Sequence, residues 1–373
     1  MVKLKVLGKT SDRVDFAWES DRHEALRAAG VDIVDANGDV TLVTYRWFEE
    51  QPLSFANWDA EQEFYEKFAS DAGPFIFEDC SDHTTIFSTY WRSFLNHPNC
   101  LGYLCNAVYR DPKHQNDRVY DYDRIHTHTM ELMSLAMPFT ERVRHYQAVP
   151  FPLEDKALAK IKLAFPLKAV SENTAADTLC LQDRKYDVSF VGHLAHCIGK
   201  DPTAPTEDFC GTRVHRHRCY SAIRSLNVPE RFLLETPVGW EPDWPPGQFR
   251  LANNQYARLL SNTKIAVCPW GWTAWTWRDV EAIMQGCVVV KPRCDEIRIH
   301  PDFYHKDSTW MRWCEPDFSD LQVIVDDILR QLHAEPEAMN AHHREVLPQR
   351  MLVESSHDIA REMFVSSIKE CLR

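Results

Sequence analysis

Residues 264–292 read KIAVCPWGWTAWTWRDVEAIMQGCVVVKP, and the apolar runs at the two ends, KIAVCP and CVVVKP, constrain the fold more than any other stretch. Neither run alternates polar with apolar residues. Each therefore suits a strand covered on both faces, and such strands belong to parallel sheets. Between them WRDVEAIMQG (277–286) has helical spacing, with Val280, Ile283 and Met284 as its apolar stripe and Gly286 as its stop. Strand, loop, helix and strand in this length make one right-handed crossover. A chain built on such a unit is an α/β protein.

The same alternation runs through the rest of the sequence. VKLKVLG (2–8), VDIVDA (31–36), DVTLVTYRWF (39–48), GPFIFED (73–79) and LGYLCNAVY (101–109) read as strands, with SDRHEALRAAG (20–30) and DAEQEFYEKFAS (59–70) as helices. The texture changes at Pro138, Pro150, Pro152 and Pro166. RKYDVSFVGH (184–193) and FLLETP (232–237) then restart the strands, alternating with the helical HRHRCYSAIRSLNV (215–228) and NQYARLLSN (254–262). Amphipathic helices are expected over 319–334 and 355–372. The sequence thus predicts an N-terminal Rossmann-like domain over 1–165, a C-terminal one over 166–350, and a last helix over 351–373 that can cross back to the first domain.

Composition narrows the partners. At 373 residues, 44% hydrophobic, the chain can bury two or three cores. Its net charge of −13 offers no basic field for nucleic acid or anionic lipid. The twelve cysteines are scattered with no CxxC, and Cys268 and Cys287 sit in apolar runs where a thiol acts as a small hydrophobe, as expected in a reducing compartment. MVKLKVLG already reads as a strand and leaves no signal peptide, and no run approaches the roughly 18 apolar residues of a membrane span. A cytoplasmic location is the simplest expectation, with a luminal domain separated from its anchor as the alternative. Oligomeric state is left open.

The loop of the 264–292 crossover lies at the carboxyl ends of the strands, where open α/β sheets bind ligands. Thr273 and Thr276 are placed to cap the helix, whose first-turn amides attract an anion. Arg278 adds a fork suited to phosphate oxygens, and Glu281, on the same side, is a pure acceptor suited to ribose hydroxyls. Trp270 and Gly271 complete the candidate contacts. The same residues also fit an ordinary i,i+3 surface pair beside core tryptophans. No GxGxxG or GxxxxGK[ST] decides between the two.

In order along the chain, RKYDVSFVGH, RHRCYSAIRSL, YARLLSNTKIAVCPWGWTAWTWRDVEAIMQGCVVVKP and STWMRWCEPDFSDLQVIVDDILRQL resemble the C-terminal signature of exostosin-like glycosyltransferases, over about residues 184–332. The first 165 residues carry no such likeness. The resemblance implies a GT-B architecture, two Rossmann-like domains facing across a cleft with C-terminal helices, the donor held by the C-terminal domain. It implies diphosphate contact by Arg278, ribose contact by Glu281, close backbone approach at Gly192, and a second phosphate contact at Arg216 or Arg218, of which Arg218 is adopted. His193, following that glycine, is a further donor contact. The chain departs from the pattern at Trp277, Asp279, Thr276, Lys291 and Pro292.

An acceptor hydroxyl needs a general base. GPFIFEDCSDHTT places Glu78, Asp79, Asp82 and His83 after an apolar strand, and Asp82 and Asp79 lead, although Asp79 also fits a turn cap. His126 with His128, His193 with His196, and His215 with His217 lack a third ligand, and the last pair reads as a solvated helix face. YDYDR (120–124) reads as a loop. The expectation is a metal-independent, inverting hexosyl- or pentosyltransferase without a cofactor, using a nucleoside diphosphate sugar and a glycan acceptor. A nucleotide-sugar epimerase or a catalytically silent sugar-binding protein are the alternatives.

Overall fold

Strands without polar alternation need cover on both faces, and in each of the two main sheets every strand runs parallel to its neighbours. The computed structural model describes residues 1–8, 19–44, 47, 58–79, 89–116, 153–166, 179–192, 211–235, 253–270, 276–305 and 308–373. They divide into two units. Unit 1 comprises Met1–Lys168, Glu296–Tyr304 and Glu354–Arg373; unit 2 comprises Ala169–Asp295 and His305–Val353.

In unit 1, β1 (Val2–Leu7), β2 (Val31–Val34), β3 (Val40–Thr44), β4 (Phe75–Asp79), β5 (Cys100–Cys105) and β7 (Ile161–Leu163) lie in the order β2-β1-β3-β4-β5-β7. The two-residue period of a strand sends Leu42, Ile76 and Leu104 to one face and Val43, Phe75, Phe77 and Tyr103 to the other. The first face is closed by α1 (Glu19–Ala28) through Leu26 and by the final helix, α8 (His357–Cys371), through Phe364 and Ile368. The second is closed by α2 (Trp58–Asp71) through Tyr65 and Ala69, and by α3 (Thr89–Asn96) through Phe94. A Cβ at Gly102 would stand 2.1 Å from the Cys371 sulfur, so the close seat of α8 on β5 requires glycine there.

LGYLCNAVY is not one strand. It breaks at Asn106, and β6 (Ala107–Tyr109) pairs antiparallel with β12 (Ile297–Ile299), a segment from the far half of the sequence. Arg110 fixes this junction with a fork onto the Asp302 carboxylate, at 2.9 and 2.6 Å.

In unit 2, β8 (Tyr186–Gly192), β9 (Arg231–Glu235), β10 (Thr263–Val267), β11 (Val288–Pro292) and β13 (Met311–Cys314) lie in the order β13-β11-β10-β8-β9. Val288 and Val290 join a core beneath α4 (Gly211–Ser225) and α7 (Leu321–Ala334), through Cys219, Ile223, Val325 and Ile328. Val289, equally buried, faces the opposite side, which α5 (Asn253–Ser261) and α6 (Trp277–Met284) cover with Leu260, Val280, Ile283 and Met284. Gly286 ends the α6 segment at φ +69°, in the left-handed region that a side chain resists. Buried Arg184 donates to the Thr263 and Gln285 carbonyls, at 2.7 and 2.9 Å, satisfying backbone oxygens that follow α5 and α6.

Both sheets are doubly wound. In each, the first strand lies between the second and the third, so successive connections leave in opposite directions and open a crevice at the carboxyl ends. In unit 2 that switch point lies between β8 and β10. Each unit is thus a Rossmann-like domain with a parallel sheet. Among the described residues, no helix is long and apolar enough to cross a membrane.

Candidate functional site

The site grows from the N-terminus of α6. Thr276 is its N-cap, with extended backbone at φ −145° and ψ 149°. Asp279, three residues on, accepts from the Thr276 backbone N–H at 3.0 Å and from its hydroxyl at 3.1 Å. Behind the cap, Lys291 at the end of β11 donates to the Asp279 carboxylate at 2.9 Å and to the Cys268 carbonyl at 3.3 Å, and both charged side chains are fully buried. Asp279 and Lys291, two departures from the exostosin-like pattern that this stretch resembles, are therefore partners of each other.

With Val280, Ile283 and Met284 turned to the sheet, Arg278 and Glu281 share the less buried side of the helix. The Arg278 guanidinium lies over the Phe190 ring, 5.6 Å from its centroid, and reaches Gly192 at the end of β8. A Cβ at Gly192 would meet Nη2 at 2.8 Å, so this approach depends on glycine. Nη1 of Arg278 is buried and, among the described residues, has no hydrogen-bond partner. Nor does an ion pair join it to Glu281, which removes the simple surface-pair reading; burial pushes the Glu281 carboxyl upward, against the pull of Arg278.

The second cation comes from α4. Arg216 is buried, and its Nε donates to the Trp270 carbonyl at 3.2 Å. Burial and the neighbouring charge of Arg278 push its pKa down to about 9. Arg218 is exposed, so of the two candidate arginines Arg216 is the one beside Arg278.

His215 corrects the reading of its helix as a solvated face. It is buried, stacked on Trp270 with centroids 4.3 Å apart, and lies 4.9 Å from the Phe318 ring centroid. The reason is helical spacing: His215, Cys219 and Ile223 form one inward stripe. Burial, then the charges of Lys291, Arg216 and Arg218, push its pKa down to about 3, so the ring is neutral. Trp270 itself is anchored, its indole N–H donating to the Pro292 carbonyl at 3.4 Å.

Arg278, Glu281, Gly192, Trp270 and Thr276 thus gather at the switch point of unit 2. His193, Gly271, Thr273, Asp82 and His83 lie outside the described residues, as do YDYDR, His126, His128 and His196. Asp79 ends β4 in unit 1, buried, and accepts from the Tyr103 hydroxyl at 2.5 Å. Sequence reasoning missed His215, the Lys291–Asp279 pair, and Tyr256 of α5, whose phenol senses the charge of Arg278. An ionisable residue at the end of an all-buried strand was the available signal for Lys291. Among the described residues, no group of three histidine, cysteine or carboxylate side chains could hold a metal.

No family model matches the chain, and no curated protein matches it. Solved structures similar to it include a crystal structure of TarM, at 9% identity and TM-score 0.46, covering 88% of this chain and 54% of that one. This chain thus spans about half the length of TarM. A second is the sucrose-phosphate synthase of Thermosynechococcus elongatus, at 11% identity and TM-score 0.46, covering 100% of this chain and 99% of that one. A third is an α-glucosyltransferase in complex with UDP and a 13-mer DNA containing an HMU base, at 8% identity and TM-score 0.38, covering both chains fully.

Proposed function

We propose that this chain is a glycosyltransferase that moves a sugar from a nucleoside diphosphate donor to a carbohydrate acceptor. The observation that carries the reading is the buried, unpartnered edge of Arg278, beside Arg216, at the switch point between β8 and β10. Buried charge normally has a partner. Two neighbouring guanidiniums, one with an open donor, fit the oxygens of a diphosphate. Glu281 then accepts from the ribose hydroxyls. That the bound nucleotide carries a sugar rests on the resemblance of residues 184–332 to exostosin-like glycosyltransferases.

As the bond from the sugar to the diphosphate breaks, negative charge grows on the leaving group. Arg278, Arg216 and the amides of α6 stabilise it there, which takes the place of a metal. The acceptor's proton goes to Asp79 or Asp82, and direct displacement inverts the sugar.

Calorimetry with ADP, GDP, UDP and TDP tests the donor site. At least one should bind, and Arg278→Ala should weaken it by about 10- to 150-fold, the worth of a charge-assisted hydrogen bond. Equal affinity in a folded Arg278→Ala variant overturns the assignment. Sugar transfer should persist in excess chelator, and loss restored by manganese overturns metal independence.

A further inference from the structure

Arg278 is followed directly by a carboxylate, yet its Nη1 is left without a partner among the described residues. Neighbouring side chains on a helix point apart, so Asp279 is turned inward and reaches Arg278 only through its charge. Asp279 accepts from Thr276 twice and from Lys291 at 2.9 Å, in a pocket where both charged side chains are fully buried. Lys291 also holds the Cys268 carbonyl at 3.3 Å. One ammonium and one carboxylate therefore fasten both ends of the loop that runs from Cys268 to Thr276. They also cancel each other's charge beneath the site.

We infer that Lys291 and Asp279 form a positioning pair, which occupies the Asp279 carboxylate so that Arg278 stays available to a diphosphate. The inference rests on the nucleotide reading given above. Without Lys291, the negative charge of Asp279 falls on Arg278 and repels an incoming phosphate. The pair acts through Arg278 and touches no ligand itself. It differs from a buried ion pair kept for stability, because its effect on binding depends on the sign of the charge left behind.

The test is a double-mutant cycle read as nucleoside diphosphate affinity by calorimetry, with thermal unfolding of every variant as the control for folding. Lys291→Met should weaken binding about tenfold or more, because one uncompensated charge acts across a poorly screened site. Lys291→Met combined with Asp279→Asn should restore affinity to within about threefold of wild type. Position 279 then places no charge on Arg278, and the amide oxygen of the introduced asparagine can still accept from Thr276. A Lys291→Met variant that binds like wild type overturns the inference. So does a folded double variant that binds no better than Lys291→Met, because the pair would then be only a staple of the fold. If Lys291→Met does not fold, the double variant decides alone: near wild-type affinity supports the inference, and a tenfold loss refutes it. A wild-type chain that binds no nucleoside diphosphate refutes the nucleotide reading and this inference with it, and the first titration by itself separates that outcome from the others.

Discussion

Gly192→Ala isolates the position of Arg278 from its chemistry. The added methyl would stand 2.8 Å from Nη2 of Arg278 and 3.0 Å from Cζ of Phe190. Ordinary contact begins near 3.5 Å, so the guanidinium must retreat by about 0.7 Å. The end of a long side chain can do so without moving backbone, and the φ of Gly192 lies outside the left-handed region. The buried Phe190 ring must also give by a few tenths of an ångström, which offsets the roughly 0.4–1 kcal/mol gained from a stiffer unfolded chain, so stability should change by less than about 1 kcal/mol. Binding behaves differently. A displacement of that size breaks a charge-assisted hydrogen bond worth about 1.5–3 kcal/mol, so nucleoside diphosphate affinity should fall by about 10- to 150-fold. Calorimetry gives the affinity and urea denaturation the stability of the same preparation. A variant with unchanged stability and unchanged affinity would show that Arg278 is not held against Gly192 for binding, and would refute the reasoning.

Gly286→Ala should behave in the opposite way: at φ +69° a side chain costs about 1–2 kcal/mol, and its Cβ would meet Arg344 Cγ at 2.9 Å, so the urea midpoint should fall while nucleotide affinity in the folded protein holds. An unchanged midpoint contradicts this. Acidification should weaken the fold through His215 and His343, both pushed by burial from 6.5 down to about 3. Because the unfolded chain takes up protons that the folded one refuses, their stabilising effect is complete above about pH 6.5 and is lost towards pH 3, at about 1.4 kcal/mol per pH unit for each histidine. Urea titrations at pH 7 and pH 5 check this, and the variant carrying His215→Gln with His343→Gln should lose less; an equal loss would argue against it.

Much of the fold was legible because burial on two faces leaves a mark on composition. CVVV reads as a strand covered on both faces, and the stripe of Val280, Ile283 and Met284 fixed the side on which Arg278 and Glu281 emerge. What stayed hidden depends on distant partners. No local pattern joins Ala107–Tyr109 to Ile297–Ile299, and MRWC (311–314) is too short and mixed to announce a strand. The choice between Arg216 and Arg218 was present in the sequence, since the inward stripe through Cys219 and Ile223 passes beside Arg216. It was obscured by the polar look of HRHR. The pairing of Lys291 with Asp279 needed the strand and the helix to be laid side by side.

The place of α8 bears on the order in which the chain can fold as it is made. Phe364 and Ile368 belong to the core formed by Leu4, Leu42 and Ile76, at the opposite end of the sequence. β1 leaves the ribosome before α8, so the part of the first sheet's face that α8 covers waits, exposed, while all of unit 2 is synthesised. Unit 2 has its last residues in place by Val353. Unit 1, which has segments on both sides of unit 2 in the sequence, is thus finished after it, and the apolar patch that awaits α8 is the surface that a nascent-chain chaperone would have to shield.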